Sequence, residues 1–102
     1  MENLFTRLQE AKQKIEEAKK SLDSVVIEVE SDDRKIRVKA NANKMVTDIE
    51  IAEELLVKEN KEELEDRLLL TLNDALERAA QRGEEEMKKI TQDLLPNFPG
   101  LM

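Results

Sequence analysis

Apolar residues fall at Leu4, Leu8, Ala11, Ile15, Ala18 and Leu22 in steps of four and three, the spacing of a helix that presents one narrow seam. The pattern predicts a helix over residues 3–23. On its solvent side Glu10 stands four positions before Lys14, and Glu16 four before Lys20, the order that favours ion pairing along a helix. From Ser24 the period drops to two. Ile27 and Val29 alternate with Glu28 and Glu30, then Ile36, Val38 and Ala40 with Lys35, Arg37 and Lys39, as in two half-buried strands. Ser31, Asp32, Asp33 and Arg34 carry turn chemistry between them. Asn41, Ala42, Asn43 and Lys44 repeat it before a third run from Met45 to Ile51, so a three-stranded antiparallel meander is expected.

A second helical pattern follows. Asn60 precedes Lys61, Glu62 and Glu63 as an N-cap with a glutamate at the third helical position. Leu64, Leu68, Leu72, Ala75, Leu76, Ala79, Gly83, Met87 and Ile90 then recur at helical spacing, which predicts one helix over residues 61–92. At 1.5 Å per residue it is roughly 45–48 Å long, whereas a compact domain of this size has a diameter of only about 33 Å. Something beyond the chain's own core must support the overhang. Pro96 and Pro99 close the helix, and LPNFPGLM reads as a loosely held tail. The expected organisation is a single α+β domain over 1–95, ordered helix, meander, long helix, with a tail over 96–102.

Composition narrows the chemistry. The 102 residues include only Phe5 and Phe98 as aromatics, so the interior is built from aliphatic residues, which suits helix packing. There is no His, Cys, Tyr or Trp, and with them go most general bases, nucleophiles and transition-metal ligands near neutral pH. Gly83 and Gly100 are too few and too far apart for a phosphate-cradling loop. The chain is therefore read as a binding protein, not an enzyme, with no metal and no small-molecule substrate. No stretch approaches the roughly 20 apolar residues of a membrane span, and MENLFTRLQE has no apolar secretion-signal core. The expected location is cytoplasmic. A formal net charge of −7 opposes attachment to polyanions and favours basic partners.

Particular runs qualify that picture. Ile49, Glu50 and Ile51 lead into Glu54, Leu55 and Leu56; then come Leu64, Glu65 and Asp66, and the run Leu72, Asn73, Asp74, Ala75, Leu76. Glu86 and Met87 with Ile90 and Thr91 follow, and the pairs Leu95–Pro96 and Pro99–Gly100 close the chain. In this order and spacing, over roughly two thirds of the chain, the sequence resembles the YbaB/EbfC family of bacterial nucleoid-associated proteins. The resemblance implies an intertwined, tweezer-like homodimer with helices projecting from a central sheet. It also implies largely non-specific DNA binding, no cofactor and a place in the nucleoid. Both hairpins depart from the family pattern, because Ser31 to Arg34 and Asn41 to Lys44 stand where many relatives carry glycine.

Candidate phosphate contacts follow from the distribution of charge. The first helix carries Arg7, Lys12, Lys14, Lys19 and Lys20 against Glu2, Glu10, Glu16 and Glu17, a positive balance in an acidic chain. Two readings stay open for Arg7, Lys12, Lys14 and Lys19, which flank the apolar seam: pairing with carboxylates of the long helix, or pointing into the cleft of a dimer. Arg78, Arg82, Lys88 and Lys89 lie in the C-terminal half of the long helix, where cations also favour the helix dipole. Lys35, Arg37 and Lys39 form a stripe on the second strand. If the turns pair the strands as they suggest, Glu28, Arg37 and Asp48 lie side by side, as do Glu30, Lys35 and Glu50, and acidic neighbours offset the stripe. Gly83 hints at a close backbone approach or local bending. Asn73 and Asp74 are either buried at a dimer centre or surface-exposed, and Glu84 to Glu86 read as a solvated acidic patch. The functional expectation is a DNA-binding, nucleoid-associated homodimer; the alternative is an acidic protein-interaction or assembly factor whose DNA contact is weak.

Overall fold

The computed structural model describes residues 3–94; the expected tail and its prolines lie outside the described residues. Helix α1 runs over Leu4–Ser21 and continues as a 3-10 turn, Leu22–Ser24. Its start is capped by Asn3, whose side-chain oxygen accepts from the Thr6 N–H at 2.8 Å. Strands β1 (Val26–Glu30), β2 (Ile36–Asn41) and β3 (Val46–Ile51) form one antiparallel sheet in the order β1-β2-β3. Two 3-10 turns, Glu53–Leu55 and Lys58–Asn60, lead into helix α2, Lys61–Leu94. The α+β order expected from periodicity is the order observed.

The strand register differs from the expected one by two residues. Glu30 pairs with Arg37 and Arg37 with Glu50, while Glu28 pairs with Lys39 and Lys39 with Asp48. The first turn is the reason. Asp33 Oδ1 accepts from the Ser31 hydroxyl at 2.6 Å and from the Lys35 N–H at 3.1 Å, and the Ser31 N–H donates to the Ile36 carbonyl. Lys35 is thereby drawn into the turn and away from pairing with β1, while its carbonyl still accepts from the Ala52 N–H at 2.8 Å. In the second hairpin the Asn41 N–H donates to the Met45 carbonyl, and an irregularity between Lys39 and Ala40 absorbs a further residue.

The core lies where α2 crosses β1 and β2. Val29, Ile36, Val38, Leu55 and Ala75 are buried together, with Ile27, Ile51, Leu64, Leu68 and Leu72 packed around them. Strand β3 is exposed along nearly its whole length. Farther along, α1 packs on α2 through Ala18 and Leu22. Gly83 is buried at this crossing, and a Cβ there would stand 2.5 Å from the Ala42 carbonyl oxygen. The close approach inferred from Gly83 is thus backbone against backbone. With 34 residues α2 is about 51 Å long. The chain measures 70 × 20 × 15 Å with a radius of gyration of 19.7 Å, well beyond the roughly 13 Å of a compact chain of this length.

Candidate nucleic-acid interface

On the outer face of the sheet Arg37 and Lys35 of the basic stripe are paired with carboxylates. The Arg37 guanidinium lies 3.0 Å from both Glu28 and Glu30 and 3.2 Å from Glu50. The hydrogen bond to Glu30, then the charges of Glu50 and the other carboxylates, holds its pKa above the ordinary arginine value. Lys35 reaches Glu54 at 3.6 Å, not the Glu30 and Glu50 neighbours expected from the turns. Lys39 sits between Glu28 and Asp48 in the ladder. Among the described residues Lys39 makes no ion pair of its own, so this face is an Arg37-centred set of cross-strand ion pairs with an acidic excess around Lys39.

The long-helix arginines are held as well. Arg78 Nε donates to Asp74 and Arg82 Nε to Glu86, each at 3.0 Å, and Lys89 lies 3.7 Å from Glu86. Arg82, followed by Lys89, keeps the Glu86 carboxyl below its ordinary pKa. Within the single chain Asn73 is exposed and Asp74 half-exposed. Arg67 bridges Asp33 at 3.1 Å and Glu63 at 3.0 Å, tying the first turn to α2. Asp33 Oδ2 makes no aligned hydrogen bond and is compensated by this guanidinium charge.

Helix α1 is different. Arg7, Lys12, Lys14, Lys19 and Lys20 are all exposed. The pairs expected between Glu10 and Lys14 and between Glu16 and Lys20 do not form, because Lys12, Lys14, Lys19 and Lys20 have no ion pair or side-chain hydrogen bond among the described residues. For Lys12, Lys14 and Lys19, pairing with α2 carboxylates, one of the two readings open from the sequence, is likewise not made among the described residues. Lys14 lines a groove of about 430 Å³ with Ala18, Ser21, Ile90 and Asp93. Lys19 lies on the opposite flank, in a groove of about 300 Å³ lined by Leu22, Ala42, Lys44, Gly83 and Met87. On α2, exposed Lys88 is also without a partner. Sequence reasoning missed Lys44 as a neighbour of Lys19; it was legible as a turn residue, but nothing in the chain tells where that turn docks.

Comparison with known proteins bears on this arrangement. The profile of the YbaB/EbfC DNA-binding family matches residues 1–94. A Flavobacterium johnsoniae protein named nucleoid-associated protein is 40% identical over 98 residues, covering 96% of this chain and 91% of its own. A Ruminiclostridium cellulolyticum protein of the same name is 32% identical over 101 residues, covering 99% and 87%. In fold, the chain is similar to a crystal structure of an uncharacterized Helicobacter pylori protein, with a TM-score of 0.71 at 23% identity over 90% of this chain and 92% of that one. No helix among the described residues is long and apolar enough to cross a membrane. With the profile spanning nearly the whole chain and a relative 40% identical along 98 residues, the chain belongs to the YbaB/EbfC DNA-binding family.

Proposed function

We propose that this protein is a nucleoid-associated protein of the cytoplasm that binds duplex DNA as a homodimer, through phosphate contacts and with little sequence preference. The observation that carries the reading is the unequal use of cations. Arg37, Arg67, Arg78 and Arg82 are neutralised by carboxylates at 3.0–3.2 Å, whereas Lys12, Lys14, Lys19 and Lys20 of α1 stand unpaired. Unpaired lysines on a rigid helix are suited to releasing counterions from DNA, a term that carries no sequence information. Family membership and the names of the relatives support the same reading. The two-fold copy is supported by the open β3 face with Ile49, by Leu56, Val57 and Leu69, all exposed, and by an α2 that outruns its own core.

A second reading is favoured by the outer face of the sheet. Glu28, Glu30, Asp48 and Glu50 outnumber Arg37 and Lys39 there, and such a surface suits a basic protein partner. One experiment separates the two. A gel shift with random-sequence duplex across a salt series is run beside a pulldown from nuclease-treated lysate. DNA retention that falls steeply with salt, with unrelated duplexes competing within about tenfold, supports the first reading; a preference on the order of a thousandfold for one duplex contradicts it. Protein retained without DNA would favour the second.

A further inference from the structure

Among the described residues two other than glycine adopt left-handed backbone, Arg34 at φ 61° and Lys44 at φ 64°. Glycine enters that region without steric penalty, and a lysine does not. Lys44 closes the second hairpin, its N–H donating to the Asn41 carbonyl at 3.0 Å. The turn is rigid: Asn41 Oδ1 accepts from the N–H groups of Asn43 and Met45 at 2.9 and 3.2 Å. It is also fastened to the end of α1. Asn43 Nδ2 donates to the Lys19 carbonyl at 2.8 Å and to Asp23 Oδ1 at 2.7 Å, and the Ala42 N–H donates to the Leu22 carbonyl at 3.2 Å.

This fastening sets Lys44 on the flank of α1 that carries Lys19. Lys12, seven residues before Lys19 and so about two turns away, shares that flank. Lys44 is exposed and has no ion pair among the described residues, and Asp23 on the same side of the turn keeps its charge but turns Oδ1 to Asn43 Nδ2. Glu84 lies on the far wall of the shared groove and opposes an anion deep inside it, which leaves the lysine rim as the favourable place for a phosphate. We infer that Lys44 is a DNA-phosphate contact, and that Lys12, Lys19 and Lys44 form one cationic edge made from a helix and a hairpin far apart in sequence. The inference rests on the DNA-binding reading.

The test compares Lys44→Gly and Lys44→Asn, both compatible with left-handed backbone, with Arg34→Gly. Arg34 has the same backbone conformation at the other end of β2 and lies 4.0 Å from Glu30. Both Lys44 variants should fold, with a melting midpoint unchanged or higher for the glycine. Each should bind duplex DNA roughly fivefold more weakly per lost contact at about 0.15 M salt, and flatten the slope of log affinity against log salt by about 1 per contact. Arg34→Gly should leave affinity and slope unchanged. If wild-type protein binds DNA and the Lys44 variants match it in affinity and slope, the inference is overturned while the DNA-binding reading stands. Equal losses for Lys44→Gly and Arg34→Gly also overturn it, since they would report net charge alone. If the wild-type chain retains no duplex at low salt, both fall together.

Discussion

At the scale of single residues, the contact at Gly83 decides a sign. Alanine in a helix interior gains about 1 kcal/mol over glycine, so propensity alone predicts that Gly83→Ala stabilises the protein. The missing Cβ, however, would meet the Ala42 carbonyl oxygen at 2.5 Å, and that oxygen belongs to a turn fastened to α1. We expect Gly83→Ala to destabilise by about 1–3 kcal/mol, the usual range for overpacking without room to relax. Thermal melting measures it, and a raised midpoint would refute the backbone contact. Asp33 governs a second effect. The Ser31 hydroxyl, then the Lys35 N–H and the Arg67 charge, lower its pKa against opposing desolvation. A carboxyl whose folded pKa lies below its unfolded value contributes stability that is complete above the ordinary carboxylate range near 4 and lost as pH falls through the folded value. Ser31→Ala should therefore bring the onset of acid unfolding to higher pH. Urea midpoints taken from about pH 5 down to about pH 2 would show it, and identical profiles would exclude the hydroxyl as the main cause.

At the scale of elements, α1 and the sheet differ in whether their cations are available. Among the described residues Lys12, Lys14 and Lys19 stand on an exposed helix without partners, whereas Lys35 faces Glu54, and Lys39, itself without an ion pair, lies between Glu28 and Asp48, whose charges offset it. Changing Lys12, Lys14 and Lys19 together to Glu should abolish DNA retention with helical content and oligomeric state intact. Lys35→Gln with Lys39→Gln should weaken it only modestly. Arg78 and Arg82 are expected to contribute secondarily, because a phosphate must displace Asp74 and Glu86 to reach them. The comparison is made by gel shift at one ionic strength, since screening otherwise masks the difference. Loss of binding in the strand variant with retention in the helix variant would move the site to the sheet.

At the scale of the whole molecule, the chain is longer than its core. Val29, Ile36, Val38, Leu55 and Ala75 anchor one part of α2, while Ile49, Leu56, Val57, Leu69 and Leu70 remain exposed. Leu70, for example, is 71% accessible. Apolar surface on this scale, beside an uncovered strand, is characteristic of an interface. Light scattering at micromolar concentration should give a mass near two chains; a mass near the 11.8 kDa of one, with α2 fully helical, would refute the dimer.

Periodicity determined the elements of this protein. Steps of three and four placed α1 and α2, and alternation placed β1 and β2, because each of these elements turns one apolar face away from water and that demand is local. The positive balance of α1 was equally legible, since it is a property of consecutive residues. What only the tertiary structure decided was which charges meet. The two-residue shift at Lys35 arose from side-chain hydrogen bonds of Ser31 and Asp33 inside a turn, energies too small to leave a mark on hydrophobic spacing. The placement of Lys44 beside Lys19 depended on Asn43 reaching a helix end 24 positions away in sequence, and a contact of that kind is set by how elements pack, not by the pattern that makes them.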